Sequence, residues 1–415
     1  MAREQFVAGI DVGSTKTVVT IAELKADGKL QLRGAGMSPS KGLRKGIVIS
    51  LEDTAQSIAA AMNQAQIVSG VTVTTACVSI SGEHITSENS RGGTTLPSHT
   101  HDVNEADVVK ALDAARAAPA EASREIVLVV PRNFTVDGQT GIRNPIGMTG
   151  HRLDAETHVI SGSIGMIQNL EKAIHMAGIT LEELVLQGLA AGGATTTEDE
   201  RELGCVVIDI GGGTTDIAVY MAGSIWHTAV LPFGGGDITH DLAFCLRTSV
   251  ANAESLKMRY GNAVWTADSE DRDLQIESHG GATNLTTVGL ISQIIQARVE
   301  DMFRLIRDDL ARKGLSNALG AGVILTGGSS NLPGIREVAE EVLALPVRIG
   351  LPTSIPGLGE GFQSPSYATS IGLLKWGQEK LSESHPAESK GFSLWDALTD
   401  LFRKAIRPFS SAPAR

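Results

Sequence analysis

The alternation of apolar and polar positions divides the chain into two halves that follow the same scheme. Phe6-Val-Ala-Gly-Ile10 reads as a buried strand, and Val18-Val-Thr-Ile21 as its partner beyond a short glycine turn. A strand pair from Leu24 to Leu32 follows, with Asp27-Gly28 as its hairpin signal. Ala55, Ile58, Ala59, Met62 and Ala65 recur at helical spacing and predict a helix over 51–69. Thr75–Ile80 reads as another buried strand, completing a β-β-β-α-β order. From Gly204 the scheme repeats: Cys205-Val-Val-Ile208, a glycine turn, Ile217-Ala-Val-Tyr220, and later the strand Val323-Ile-Leu-Thr326 with a helix from Leu332.

Between these segments the pattern changes. Residues 82–160 hold a polar stretch and a helix capped by Asn104, with Val108, Ala111, Leu112 and Ala115 on its apolar side. The strand Glu125–Val130 and a turn-rich stretch over 141–150 complete what reads as an inserted subdomain. A helix over 163–177 ends at Gly178, and Leu184–Gln187 reads as a strand. A second insertion, 226–314, predicts helices at 236–246 and 251–260. A long helix over 288–313 is marked by Val288, Ile291, Ile295, Val299, Met302, Ile306 and Leu310. Residues 378–391 turn polar and read as a disordered tether. The expected division is 1–82 with 161–197, 83–160, 198–225 with 315–377, 226–314, the tether, and a terminal helix over 392–409.

Composition narrows the class. A chain of 415 residues can bury ample core. Its net charge of −12 and lack of any basic face argue against nucleic-acid binding. Cys77, Cys205 and Cys245 lie far apart, as core thiols in a reducing compartment do. The first residues enter a strand directly and read as no signal peptide, and no apolar run approaches the ~20 residues of a spanning helix.

The candidate chemistry lies in the turns. Asp11-Val-Gly-Ser-Thr-Lys16 and Asp209-Ile-Gly-Gly-Gly-Thr-Thr-Asp216 share one grammar: strand, acidic residue, glycine turn, strand. Glycines let backbone N–H groups approach an anion, and Ser or Thr hydroxyls add donors. A carboxylate beside such a turn can hold magnesium through water. Each turn alone also fits an ordinary hairpin; two, each opening half of the chain, suggest duplicated lobes gripping one nucleotide. His99-Thr-His101 lacks partner ligands for a metal, and Gly327-Gly-Ser-Ser330 lacks the surroundings of a nucleophilic serine. Glu337–Glu341 reads as a solvated helix face.

The two phosphate hairpins, the Val323–Gly328 strand-turn and the duplicated lobes resemble the actin, sugar-kinase and heat-shock-chaperone ATPase superfamily. Gly141-Ile-Arg-Asn-Pro-Ile-Gly-Met-Thr-Gly-His-Arg-Leu153, His158, Asp199–Gly204 and Tyr367-Ala-Thr-Ser-Ile-Gly-Leu-Leu374 resemble, more narrowly, the FtsA family of bacterial cell-division proteins. The resemblance spans about residues 5 to 409 and implies an α/β, actin-like ATPase fold: two ribonuclease-H-like lobes around a nucleotide cleft, with the FtsA-type inserted subdomain. It implies ATP and Mg2+ as cofactors. Asp11, Gly13, Ser14, Thr15 and Lys16 would form the first phosphate loop, and Asp209, Gly211, Gly212, Gly213, Thr214 and Thr215 the second. Asp11 and Asp209 would face the metal; Gly327, Gly328 and Ser329 would line the adenosine, and Glu254 and Lys257 would reach ribose and base.

One departure stands out. Where the hydrolytic chaperones carry Glu-Pro, this chain reads Gln187-Gly188; a glutamine can orient water but cannot take its proton, so slow turnover is expected. The family also implies docking of the FtsZ C-terminal peptide on the second insertion, with Arg298 and Asp301 as candidates against a plain surface ion pair. It implies filaments of the chain itself, downstream division proteins as partners, and a place on the cytoplasmic face of the inner membrane at the septum.

The last segment can be read from its residues. At 100° per residue Leu394, Trp395, Leu398, Leu401, Phe402, Ala405 and Ile406 share one face, and Arg403, Lys404 and Arg407 help fill the other. Some 14 helical residues reach about 21 Å, too short to span. The tail carries four basic and two acidic groups on an otherwise acidic chain, which suits anionic lipids. A terminal helix docked on the body is the alternative. A pilus-assembly actin homologue, or a sugar-kinase-like enzyme, is the alternative for the whole chain; the former would lack this tail, and the latter would need a catalytic carboxylate facing a sugar.

Overall fold

The computed structural model describes residues 5–97, 101–116, 121–265, 272–278, 283–357 and 359–384. The candidate membrane residues Leu394–Arg407 lie outside this set, as does His99.

The first lobe is built on β1 (Gln5–Val12), β2 (Lys16–Leu24), β3 (Leu30–Pro39), β4 (Thr75–Ile80) and, after the insertion, Thr180–Leu186. β1 and β2 form the hairpin that ends at the first glycine turn, and β1 runs parallel to β4. Helix α1 (Leu51–Ser69) begins at Ser50, whose hydroxyl accepts from the Asp53 N–H, and stops at Gly70 with φ of 69°. It buries Ile58, Ala61, Met62 and Ala65 against β3.

The inserted subdomain is richer in strands than its sequence suggests. β5 (Thr86–Thr95), β6 (Arg124–Val136), β7 (Gln139–Ile142) and β8 (Arg152–Ser163) form one antiparallel sheet in the order β7-β6-β8-β5. Helix α2 (Glu105–Ala115) packs across it with a full capping box at Asn104. β5, Thr-Ser-Glu-Asn-Ser-Arg-Gly-Gly-Thr-Thr, shows no apolar alternation because it is an edge strand with little burial. Gly92 is required there, since a Cβ would run into the Ala114 carbonyl of α2.

α3 (Ile164–Met176) returns the chain to the first lobe, and β9 (Thr180–Leu186) adds the outer strand beside β4. Gln187 opens α4 (Gln187–Thr195) and does not end the strand. After α5 (Glu198–Leu203), the second sheet contains β10 (Cys205–Ile210), β11 (Thr215–Met221) and β12 (Ser224–Leu231). α6 (Gly235–Leu246), α7 (Val250–Tyr260) and α8 (Val288–Arg312) follow, and then β13 (Gly322–Thr326), α9 (Ile335–Leu343) and β14 (Val347–Ile349). The sheet order β12-β11-β10-β13-β14 matches β3-β2-β1-β4-β9 of the first lobe strand for strand. The repeat is therefore one of topology as well as of turns. β12 extends this sheet past residue 226, where sequence pattern places the start of the second insertion.

α10 (Ala368–Ser384) runs back onto the first lobe, burying Ile371 and Leu374 beside Val7 and Ala22. It corrects the reading of a tether from residue 378: the helix continues through Ser384, held by Gln378 on the Gly28 carbonyl and Lys380 on that of Glu182. Among the described residues no helix is long and apolar enough to cross a membrane.

Candidate functional site

Each glycine turn is closed the same way. The Gly13 N–H donates to the Lys16 carbonyl at 3.1 Å, and the Gly211 N–H to the Thr214 carbonyl at 2.9 Å. The fold sets the two turns face to face. A Cβ on Gly212 would overlap the Thr15 side chain, and one on Gly213 would lie 2.7 Å from Ser14 Oγ. The triple glycine Gly234–Gly236 packs onto the second turn, Gly235 N–H donating to the Gly211 carbonyl at 2.9 Å and Gly236 N–H to that of Gly212 at 2.7 Å. The third turn closes the site: Ser329 Oγ donates to the Gly211 carbonyl at 3.0 Å, and Gly327, with φ of 86°, leaves room for the Asp209 carboxylate.

Three carboxylates sit beneath the turns. Asp11 Oδ1 accepts from Ser79 Oγ at 3.0 Å and Gln187 Nε2 at 3.3 Å. Asp209 Oδ2 accepts from Thr369 Oγ1, and Asp216 Oδ2 from Ser81 Oγ, both at 2.7 Å. Burial dominates their acidity. It raises Asp11 despite the Ser79 hydroxyl and the Lys16 charge. It pushes Asp209 up to about 7, and Asp216, which also faces the Asp209 charge, well above the ordinary carboxylate range. The neighbouring Lys16 ammonium is lowered by burial, and stands 3.9 Å from the centre of the Tyr367 ring.

Glu254 and Lys257 meet on α7, Nζ to Oε2 at 2.7 Å, and Lys257 also donates to the Gly235 carbonyl at 3.0 Å. They therefore stand beside the glycine turns. Lys45 crosses between the lobes to the Pro232 carbonyl at 2.6 Å and Asp237 at 3.3 Å. Arg298 and Asp301 do not join this cluster. Arg298 makes a two-pronged pair with Asp241 of α6, at 2.5 and 2.9 Å, and Asp301 pairs with Arg304 at 2.8 Å.

The residues fit a magnesium–nucleotide complex on three counts. Gly212 and Gly213 have no room for a Cβ where they meet Thr15 and Ser14, the hydroxyls of those two residues stand at the junction, and the carboxylates beneath offer oxygen, as magnesium prefers. Asp216 Oδ1 is buried with no hydrogen-bond partner among the described residues. Sequence reasoning passed over Ser79, Ser81, Thr369, Lys45, Tyr367 and the role of Asp216. The run Gly234-Gly-Gly236 was its available signal, as was the second acidic residue closing the turn.

The family profile described as "Cell division protein FtsA" matches residues 206–372, and that of the "SHS2 domain inserted in FTSA" matches 82–161. The cell division protein FtsA of Pseudomonas aeruginosa is 38% identical over 391 residues, 94% of this chain and 93% of that protein. That of Escherichia coli K12 is 33% identical over 383 residues, covering 90% and 91%. In shape the chain is similar to the PilM-PilN type IV pilus biogenesis complex, with TM-score 0.65 and 16% identity over 90% of this chain and 98% of that one. It is also similar to MreB5 of Spiroplasma citri bound to ADP, with TM-score 0.56 and 13% identity over 92% and 99%.

Proposed function

The chain belongs to the FtsA family of bacterial cell-division proteins and has the actin-like fold, and from this we propose that it is an ATP-dependent membrane tether for FtsZ. It would bind ATP with Mg2+ between its lobes, assemble into filaments, hold the FtsZ C-terminal peptide on the second insertion, and reach the inner membrane at the septum through its terminal helix. The observation that carries the nucleotide reading is the meeting of two glycine turns, with no room for a Cβ on Gly212 or Gly213, above three buried carboxylates. The MreB5 structures hold ADP and AMPPNP, which supports it by analogy of fold.

In this reading Ser14, Thr15, Gly13 and Gly211–Thr215 bind the phosphates, Lys16 balances their charge, and Asp11 and Asp209 orient the metal's water shell, with Asp216 beside them. Bound magnesium would screen phosphate charge and polarise the terminal phosphoryl group. Glu254, Lys257 and Gly327–Ser329 would take the nucleoside. Gln187 donates its amide to Asp11 Oδ1, Ser79 Oγ and the Val12 carbonyl, so it is spent on holding the site together. With no base there, turnover stays slow. Late division partners would act on an assembled filament.

Sedimentation with FtsZ and anionic liposomes tests the tether. Full-length protein with ATP should carry FtsZ into the liposome fraction, and protein cut after residue 384 should leave it in solution. Equal recovery of FtsZ with both would defeat the reading.

A further inference from the structure

The inserted subdomain leaves the chain only from the first lobe, after β4 and before α3, yet its edge strand β5 lies along β12, the edge strand of the second lobe. Asn89 Nδ2 donates to the Trp226 carbonyl at 3.1 Å, and Ser87 Oγ to that of Thr228 at 2.7 Å. Two steps back along β5 thus meet two steps forward along β12. This is the register of an antiparallel pair, but joined by side chains in place of a backbone ladder. Arg132 of β6 stacks its guanidinium 3.7 Å from the Trp226 ring centre, and its carbonyl accepts from Ser224 Oγ at 3.1 Å.

His158 of β8 is buried at the middle of this seam, with Nδ1 2.7 Å from Asn89 Oδ1 and Nε2 2.9 Å from Thr228 Oγ1. Asn89 spends its amide donors on Trp226, so its oxygen faces the ring. His158 must then donate through Nδ1 and accept through Nε2. Burial, aided by His227, Arg132 and Lys313, holds it neutral with a pKa of about 3. A cavity of 80 Å³ lies beside it, lined in part by Glu88 and Lys313. The contact is thus specific in its hydrogen bonds, with an open pocket beside it.

We propose that the β5–β12 seam is a latch that couples the orientation of the inserted subdomain to the opening of the cleft between the lobes. The lobes touch at Thr15 and Gly212 on one side and are bridged by the insertion on another, so a movement that parts the turns must shear the seam or carry the insertion along. Coupling of this kind is reciprocal. The proposal does not require that ATP be the ligand, and its test omits nucleotide.

Hydrogen exchange on the full chain decides it. Gly212→Val, with Gly212→Ala as the milder wedge, should speed exchange of the amides in 86–95 and 224–231 several-fold. In the other direction Asn89→Ala with Thr228→Val should speed exchange in the turns 12–16 and 211–215. With the seam broken in this way, the wedge should have no further effect on it. Unchanged exchange in either direction overturns the latch. Failure of the nucleotide reading would appear separately, as parent protein whose turns do not respond to added ATP.

Discussion

Gly212 and Thr15 belong to different lobes and meet so closely that the glycine has no room for a Cβ. The contact makes the two hairpins halves of one site, and Lys45 spans the same junction nearby. Its ammonium reaches the Pro232 carbonyl at 2.6 Å, and the pair with Asp237 is partly exposed and therefore modest. Lys45→Ala is expected to speed release of a bound fluorescent ATP analogue about two- to tenfold in stopped flow, with folding intact. An unchanged rate would mean that Lys45 does not hold the lobes together.

The buried carboxylates make the protein without ligand sensitive to pH. The folded pKa of Asp209, about 7, lies above its ordinary value near 3.8. Its stabilising share is therefore full below about pH 4 and is lost as pH rises through 7. His158 and His84, lowered to about 3 and about 4, act in the opposite sense: their share is present above 6.5 and lost on acidification. The comparison with Asp209→Asn isolates the carboxylate. Its stability should rise relative to the parent between pH 5 and pH 8 by on the order of a few kcal/mol, read as a rising Tm difference. A constant Tm difference across that range would refute the assignment.

Arg298 is a candidate for peptide docking by family resemblance, and its two-pronged bond to Asp241 sets how that must be tested. Arg298→Glu puts a carboxylate against Asp241 and should lower Tm by several degrees. The swap of Arg298→Asp with Asp241→Arg should restore Tm. If Arg298 also docks the FtsZ peptide, the swap will fold normally and still bind that peptide at least several-fold more weakly in fluorescence anisotropy. Full peptide affinity in the swap leaves Arg298 with only its partner Asp241.

Much of this was legible in sequence, for physical reasons. The hairpins at Asp11 and Asp209, α1 and α8 announce themselves because glycine turns and one-sided apolar spacing are local signals. The edge strand β5 was hidden because its side chains face solvent and the seam, leaving no alternation. Thr369 and Ser79 could not be placed, since each reaches its carboxylate from far along the chain. Gln187 reads as a strand end in sequence, yet it opens a buried helix whose apolar residues lack a polar face to set the period.

The terminal apolar arc is expected to hold the membrane reversibly. Burying Leu394, Trp395, Leu398, Leu401, Phe402 and Ile406 contributes at most about 1.5–3 kcal/mol each, reduced by partial immersion and by ordering the helix. Filaments would add avidity. Leu398→Glu should release the protein from floating anionic liposomes, whereas Arg403→Glu with Lys404→Glu should weaken binding mainly at low salt. Flotation of Leu398→Glu equal to the parent would place the segment against the body instead.

Calorimetric titration with ATP and Mg2+ bears most directly on the central claim, that one nucleotide is gripped between the paired turns. The parent should bind one ATP per chain. Gly212→Val, which fills the junction, and Asp209→Ala, which removes the carboxylate proposed to face the metal, should each weaken binding at least a hundredfold. Parent-like affinity in both variants would contradict the account.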